Sequence, residues 1–358
     1  MPGILRGQLA RCRCRALRLR QCAATLDKIP VQAMTRPLLS RLLLIAMLAL
    51  SPSVWAAWLS DEQPVMGTVV RIELWSDSGE SGQTAIAAVM EEMRRVDRLM
   101  STYKEDSEIS RVNREAAKQP ITISKEMLEL LERALRMSEL THGAFDITYA
   151  SAGHLYDFPR KIKPSAEALA AALAAINYRH VALDRANGTV RFLRSGVRID
   201  LGGIAKGHAV DRAIALLQAR GIKHALVSAG GDSRVIGDRR GRPWTVGIRD
   251  PRQRDKVIAV VPLSNAAIST SGDYERYFEA EGVRYHHIIH PRSGQPASGV
   301  RSVTAVGADS TTIDALSTSI FVMGVKKGLA LVESLPGVEA VVVDADGKIH
   351  YSSGWKRP

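Results

Sequence analysis

From residue 178 onward the sequence breaks into short runs rich in β-branched residues, and no other feature narrows the fold as much. Runs at 181–183, 189–193, 197–201, 224–228, 244–248, 257–262, 267–270, 285–289, 303–307 and 338–343 have the length and composition of strands. Apolar residues at helical spacing interrupt them only at 204–219, 312–323 and 326–334. Upstream the balance reverses. Residues 64–75 alternate as a strand, whereas 83–100, a short stretch reaching 109, 124–140 and the alanine-rich 165–176 read as helices. Strands and helices mix without the regular rhythm of parallel βαβ units, which predicts an α+β class.

Charge narrows the partners. The formal net charge is +12 over 358 residues. Nine basic side chains and one acid fall in residues 1–56, which leaves 40 basic against 36 acidic groups over 57–358. A body so nearly balanced gives no electrostatic footprint for nucleic acid.

The basic start reads as targeting sequence. Arg36 and Arg41 precede the apolar run 42–50, and Val54-Trp55-Ala56 ends in a small residue suited to cleavage. That order is the layout of a secretory signal peptide, and the run is too short to span a bilayer. Met34 stands where such a peptide would begin. The expected layout is therefore a leader or mis-assigned start at 1–33, a signal peptide at 34–56 and one domain at 57–358. Cys12, Cys14 and Cys22 all lie in the first segment. Thiol catalysis and disulfides are thus excluded from the mature chain, and no cysteine follows the apolar run to carry a lipid anchor.

Three segments could carry chemistry. Residues 198–207, Arg-Ile-Asp-Leu-Gly-Gly-Ile-Ala-Lys-Gly, read as a strand entering a glycine-rich turn and then a helix. Such a turn offers backbone N–H groups and a helix N-terminus to phosphate, with Lys206 one turn in. Asp314 and Thr318 stand four apart on one helical face, a carboxylate and a hydroxyl of the hard-oxygen type that Mg²⁺ takes. His286, His287 and His290 invite a zinc reading, but strand alternation sends His287 to the opposite face from the other two. A neutral histidine there could instead serve as a general base. Met66, Tyr103 and Phe145 are candidates to line a planar ring, although their spacing alone assigns no ligand.

Taken in order, the motifs resemble the ApbE family, the FAD:protein FMN transferases. The likeness runs from Met66-Gly67-Thr68 through Met100-Ser101-Thr102-Tyr103 with Ser107-Glu108-Ile109, then Gly143-Ala144-Phe145-Asp146 and the 200–207 stretch with Asp211 behind it. It continues through Ser228-Ala229-Gly230-Gly231-Asp232, Ile268-Ser269-Thr270-Ser271-Gly272 and 287–294, and ends on the helix bearing Asp314 and Thr318. Nearly all of 64–350 is covered.

The resemblance implies a single α+β, T-fold-like domain of mainly antiparallel sheet and helices, with FAD in a groove and Mg²⁺ at its pyrophosphate. It implies that Met66, Tyr103, Ala144, Phe145, Asp146, Asp200, Lys206 and Ile289 hold the dinucleotide. The Gly203 carbonyl, Asp314 and Thr318 would bind the metal. His287 would take the proton from an acceptor Thr or Ser whose hydroxyl attacks the FMN phosphorus, releasing AMP. The implied acceptors are flavoprotein subunits of membrane redox complexes, and the implied location is the periplasm or the outer face of the inner membrane. Three positions depart from the family pattern. Ser317 stands where some members carry a further carboxylate, His290 where Asp or Asn is usual, and His208 where an aromatic is usual. Hydrolysis of FAD to FMN and AMP at the same site, or FAD binding without turnover, fits the same residues, because the acceptor lies on another chain.

Overall fold

The computed structural model describes residues 56–253 and 255–355. The expected leader, and the signal segment except Ala56, lie outside these residues. In chain order the elements are β1 (Ala57–Val65), β2 (Thr68–Ser76), α1 (Gly79–Met100), α2 (Glu108–Glu115), β3 (Ile121–Thr122), α3 (Lys125–Leu140), α4 (Ala150–Gly153) and α5 (Ala166–Leu173). Next come β4 (Val181–Asp184), β5 (Thr189–Phe192), α6 (Ala205–Ala219), β6 (Ala225–Ala229), β7 (Asp232–Ile236), β8 (Trp244–Arg249), β9 (Val257–Leu263) and β10 (Ala267–Gly272). The chain continues with β11 (Tyr277–Ala280), β12 (Val283–His286), β13 (Val300–Gly307), α7 (Ser310–Glu333), β14 (Glu339–Asp344) and β15 (Ile349–Tyr351).

Eight of the strands form one sheet in the order β1-β2-β6-β7-β10-β13-β14-β15, with every neighbouring pair antiparallel. The chain is thus α+β, as its strand and helix pattern predicts. Helices α1, α6 and α7 cover one face, α1 over β1 and β2, α6 over β6 and β7, and α7 over β10 and β13. On α1 the buried residues Ala85, Ile86, Val89, Met90, Met93, Val96 and Met100 recur at three- and four-residue steps, which gives the helix one apolar face toward the sheet. Each fully buried side chain of this size stabilises the fold by about 1.5–3 kcal/mol. The opposite face is covered by the β8–β9 hairpin, whose Trp244, Ile248, Val261 and Leu263 pack on Val235, Ile268 and Val341.

Helix α6 buries mainly small and β-branched residues, among them Ala205, Gly207, Ala209, Val210 and Ala213. Small side chains let it lie close to α7. Helix α7 is long and apolar enough to cross a bilayer, yet it is a core helix packed on the sheet. Gly324, at φ 77° and ψ 173°, breaks it in two, which matches the separate stretches read at 312–323 and 326–334.

Two of the strands expected upstream of residue 205 differ in the structure. Residues 64–75 are not one strand but the end of β1, a two-residue turn and β2, with Met66 at φ 57° and Gly67 at φ 66°. Residues 197–201 are extended but join no sheet, because side chains take the place of a partner strand. Asn113 donates to the Ile199 carbonyl and accepts from its N–H, while the Ser151 hydroxyl does the same for Arg198.

Candidate active site

The glycine-rich bend at 202–203 opens α6 directly against α7. The N–H of Gly207 donates to Asp314 at 3.0 Å. Lys206 Nζ lies 3.4 Å from Asp314 Oδ2 and 2.8 Å from Asp232 Oδ2, and it also donates to the Gly202 carbonyl at 3.2 Å. Both carboxylates are buried, Asp232 at 1% and Asp314 at 2% exposure. Burial, then the neighbouring Asp232 charge, push Asp314 up to about 7. Burial works against the Lys206 ammonium, but Asp232 and Asp314 outweigh it and hold lysine above its ordinary value. One ammonium serves two buried carboxylates, which leaves the pocket short of positive charge.

Thr318 faces the same pocket one helical turn beyond Asp314. Its Oγ1 lies 3.2 Å from Ser271 Oγ, and a Cβ built on Gly203 would lie 3.4 Å from it. Ser317 Oγ joins Ser269 Oγ at 3.0 Å and Ser271 Oγ at 2.8 Å, and donates to the Asp314 carbonyl. Ser269 in turn donates to Asp232 Oδ1 at 2.5 Å. Register explains this line of contacts: Asp232 on β7 pairs directly with Ser269 on β10, so both side chains point at α7. The hydroxyl of Ser317 therefore ties the helix to the sheet.

Phe145 closes the near side. It is buried at 5% exposure, and its Cε2 would lie 3.3 Å from a Gly203 Cβ. Asp200 binds Thr102 Oγ1 at 2.8 Å, Tyr149 OH at 3.1 Å and the Gly202 N–H at 2.7 Å, which fastens the bend to the loop after α1. Tyr149 is raised well above an ordinary phenol by burial and by Asp200. Asp146 is turned inward: its carboxylate accepts from Thr148 N and Oγ1 and from Tyr178 N, capping the short turn Ile147–Tyr149. Ala144 beside it is half-buried and packs on the core.

The mouth is made by Tyr103, Arg276 and His287. Tyr103 is 79% exposed, and its hydroxyl accepts from Arg276 Nη1 at 2.8 Å. His287 Nδ1 lies 3.3 Å from the Arg276 carbonyl. A carbonyl can only accept, so the ring proton sits on Nδ1 and Nε2 carries the lone pair. Burial and the Arg276 charge hold His287 down to about 3, so it is neutral at ordinary pH. The other two histidines do different work. His286, buried at the end of β12, bonds the Ala297 carbonyl at 2.8 Å, and His290 accepts from Arg292 N–H within a turn. Strand β12 ends at His286, so alternation does not extend to 287–290 as the sequence reading assumed.

The structure thus brings Gly203, Lys206, Asp314, Thr318 and Phe145 into one pocket, with Asp200 anchoring its rim. Met66 lies half-buried on the β1–β2 turn, next to Gly67, and Ile289 is buried in a bridge to Pro296. His208 pairs with Glu126 of α3 at 2.7 Å. Sequence reasoning missed Asp232, Tyr149, Thr102 and Arg276 as parts of the site. Asp232 ends the Ser-Ala-Gly-Gly-Asp motif and could have been found there, but nothing local marks Tyr149 or Arg276.

Comparison with known proteins follows this geometry. The profile of the ApbE family matches residues 66–342. The FAD:protein FMN transferase of Treponema pallidum is 35% identical over 309 residues, covering 81% of this chain and 85% of that protein. That of Vibrio cholerae is 35% identical over 306 residues, covering 82% and 90%. Among solved structures, the ApbE protein of Thermotoga maritima superposes with a TM-score of 0.77 at 38% identity, over 83% of this chain and 97% of that one.

Proposed function

The chain belongs to the ApbE family, and we propose that it performs the reaction for which its relatives are named, moving FMN from FAD onto a protein. One observation carries the reading: a buried pocket of oxygen donors at a glycine-rich helix start, with a histidine held neutral and its Nε2 free at the mouth.

The oxygen donors fit magnesium. Asp314 and Thr318 Oγ1, with the Gly203 carbonyl, are the hard ligands such an ion takes, and a carboxylate pushed up to about 7 by burial and by a second acid is short of positive charge. When bound there, the ion would offset negative charge on the pyrophosphate oxygens. Lys206, fixed by Asp232, adds a second cation at the helix start. His287 Nε2 takes the proton of an acceptor Thr or Ser hydroxyl. The hydroxyl oxygen bonds to the phosphorus of the FMN half, the pyrophosphate P–O bond breaks, and AMP leaves with the bridging oxygen. Phe145 and the Asp200–Thr102–Tyr149 ties shape the wall along which the dinucleotide would lie.

The signal-like segment at 34–56 supports export. The enzyme would then act in the periplasm or on the outer face of the inner membrane, on flavoprotein subunits of membrane redox complexes. The test is incubation of the purified protein with FAD, Mg²⁺ and a candidate acceptor subunit. Flavin fluorescence that stays with the acceptor on a denaturing gel is the expected result. Free FMN and AMP without labelled acceptor would make the protein a hydrolase, and intact FAD would make it a binder.

A further inference from the structure

Arg276, in the loop between β10 and β11, touches two segments that line the mouth of the site and approaches a third. Its carbonyl accepts from the His287 N–H at 3.1 Å and faces Nδ1 of the same ring at 3.3 Å. Its guanidinium donates to the Tyr103 hydroxyl at 2.8 Å, with Cζ 5.6 Å from the ring centroid. Nη2 lies 4.0 Å from where a Cβ on Gly67 would stand, at the turn that carries Met66. Among the described residues no carboxylate forms an ion pair with Arg276.

We propose that Arg276 is a positioning residue: its guanidinium fixes Tyr103 over the dinucleotide groove and its carbonyl fixes the ring of His287. One residue then sets both the seat of the substrate and the nitrogen that accepts the proton. This rests on the transferase reading above.

Packing cannot do the same job for Tyr103, because a ring 79% exposed is free to turn unless something holds its hydroxyl. A guanidinium suits the task, since it can bond the phenol oxygen and lie near the ring at once. Arg276, His286 beside it in the chain and Lys206 on α6 act on His287, and Lys206 is itself paired with Asp232 and Asp314. With burial, they keep a second proton off the ring, and the Arg276 carbonyl selects which nitrogen holds the first.

The experiment compares wild type with Arg276→Gln, Arg276→Lys, Tyr103→Phe and the double variant Arg276→Gln/Tyr103→Phe. FAD affinity is read from quenching of flavin fluorescence without acceptor, and His287 is followed by NMR of ¹⁵N-histidine protein. Loss of one charge-assisted hydrogen bond predicts about fivefold weaker FAD binding in Arg276→Gln. The double variant should bind no worse than the weaker single one, because both changes break the same clamp. The ¹⁵N shifts of His287 should place its proton on Nδ1 in wild type and in every variant, because the Arg276 backbone carbonyl survives each substitution. Additive losses of affinity, or a His287 ring protonated on Nε2, would overturn the proposal. Should wild type fail to label any acceptor, the transferase reading falls while the binding cycle and the tautomer read by NMR still decide the role of Arg276.

Discussion

The N–H of Gly207 donates to Asp314 across two helices that only a glycine allows to lie so close. A Cβ at 207 would stand 2.3 Å from the Ser310 carbonyl oxygen and 2.8 Å from Asp314 Cβ. The Lys206-Gly207 pair at the end of the glycine-rich motif therefore has two separate duties. Lysine supplies charge, and glycine supplies proximity.

Gly207→Ala is predicted to push α6 from α7 and to destabilise the protein by about 1–3 kcal/mol, the usual cost of overpacking a filled contact. Both contacting atoms near the new methyl, the Ser310 carbonyl and the Asp314 stem, are held in α7 and cannot swing away. Urea denaturation measures the loss, and an unchanged midpoint would mean the helices separate without strain.

Asp314→Ala is predicted to cut FMN attachment at least ~100-fold, equivalent to about 2.7 kcal/mol of barrier. The change removes the one buried carboxylate among the expected metal ligands, while Asp232 keeps Lys206 in an ion pair. Calorimetric titration should show Mg²⁺ binding in wild type and none in the variant, and a chelator should silence wild type to the same degree. Full-speed labelling in the presence of the chelator would remove the metal assignment altogether.

How far the sequence could be read depended on whether a feature was local. The helix at 125–140 was visible because its cap is local: Ser124 Oγ accepts from Met127 N–H, as the sequence pattern predicts. The break at Gly324 was visible because helical spacing loses phase there. The Met66–Gly67 turn was hidden because alternation continues on both sides and methionine rarely takes a positive φ. The extended run at 197–201 looked like a strand because its apolar pattern is that of one, and only the fold supplies the Asn113 and Ser151 side chains that replace a partner. Gly203, Lys206, Asp314 and Thr318 came from motifs, but their meeting depends on α6 lying against α7. Asp232 and Tyr149 act through neighbours 82 and 51 positions away in sequence (Asp314 and Asp200), distances that no local pattern encodes.

His287→Asn is predicted to slow transfer by about 10²–10³-fold, the range expected for losing a general base, with FAD affinity little changed. In wild type the acid limb of the rate profile should lie well below the ordinary histidine value near 6.5, since burial and Arg276 hold His287 down to about 3. Stability follows the same sign. The unfolded chain takes up a proton at this histidine near pH 6.5 and the folded chain does not until about 3, so stability is present above 6.5 and is lost as pH falls through that window. Denaturation midpoints between pH 7 and 4 should fall less in His287→Asn than in wild type. An acid limb at 6.5 would show that the ring is an ordinary exposed histidine.

Asp211 offers a prediction that separates placement of the metal helix from chemistry. Its carboxylate, on α6, accepts from the N–H groups of Ser310 and Thr311 and from the Thr311 hydroxyl, and it pairs with Arg234 on β7 at 2.7 Å. It thus holds the N-terminus of α7 from outside that helix, alongside the helix's own cap Asp309, which accepts from Thr312 N–H at 2.9 Å. Asp211→Asn keeps the shape and one acceptor oxygen but gives up the charge that faces Arg234 and the helix dipole. The expected loss is about 1–3 kcal/mol of stability, because a buried N–H or the Arg234 charge is left without its partner. Asp211 touches neither the oxygen pocket nor the mouth, so the weakened protein should keep the wild-type pH profile while its Mg²⁺ requirement rises, as Asp314 and Thr318 ride on a helix less firmly placed. Guanidinium denaturation and a Mg²⁺ titration of labelling rate measure the two effects. A variant that loses stability with an unchanged Mg²⁺ requirement would show that α7 keeps its position through Asp309 and the sheet alone.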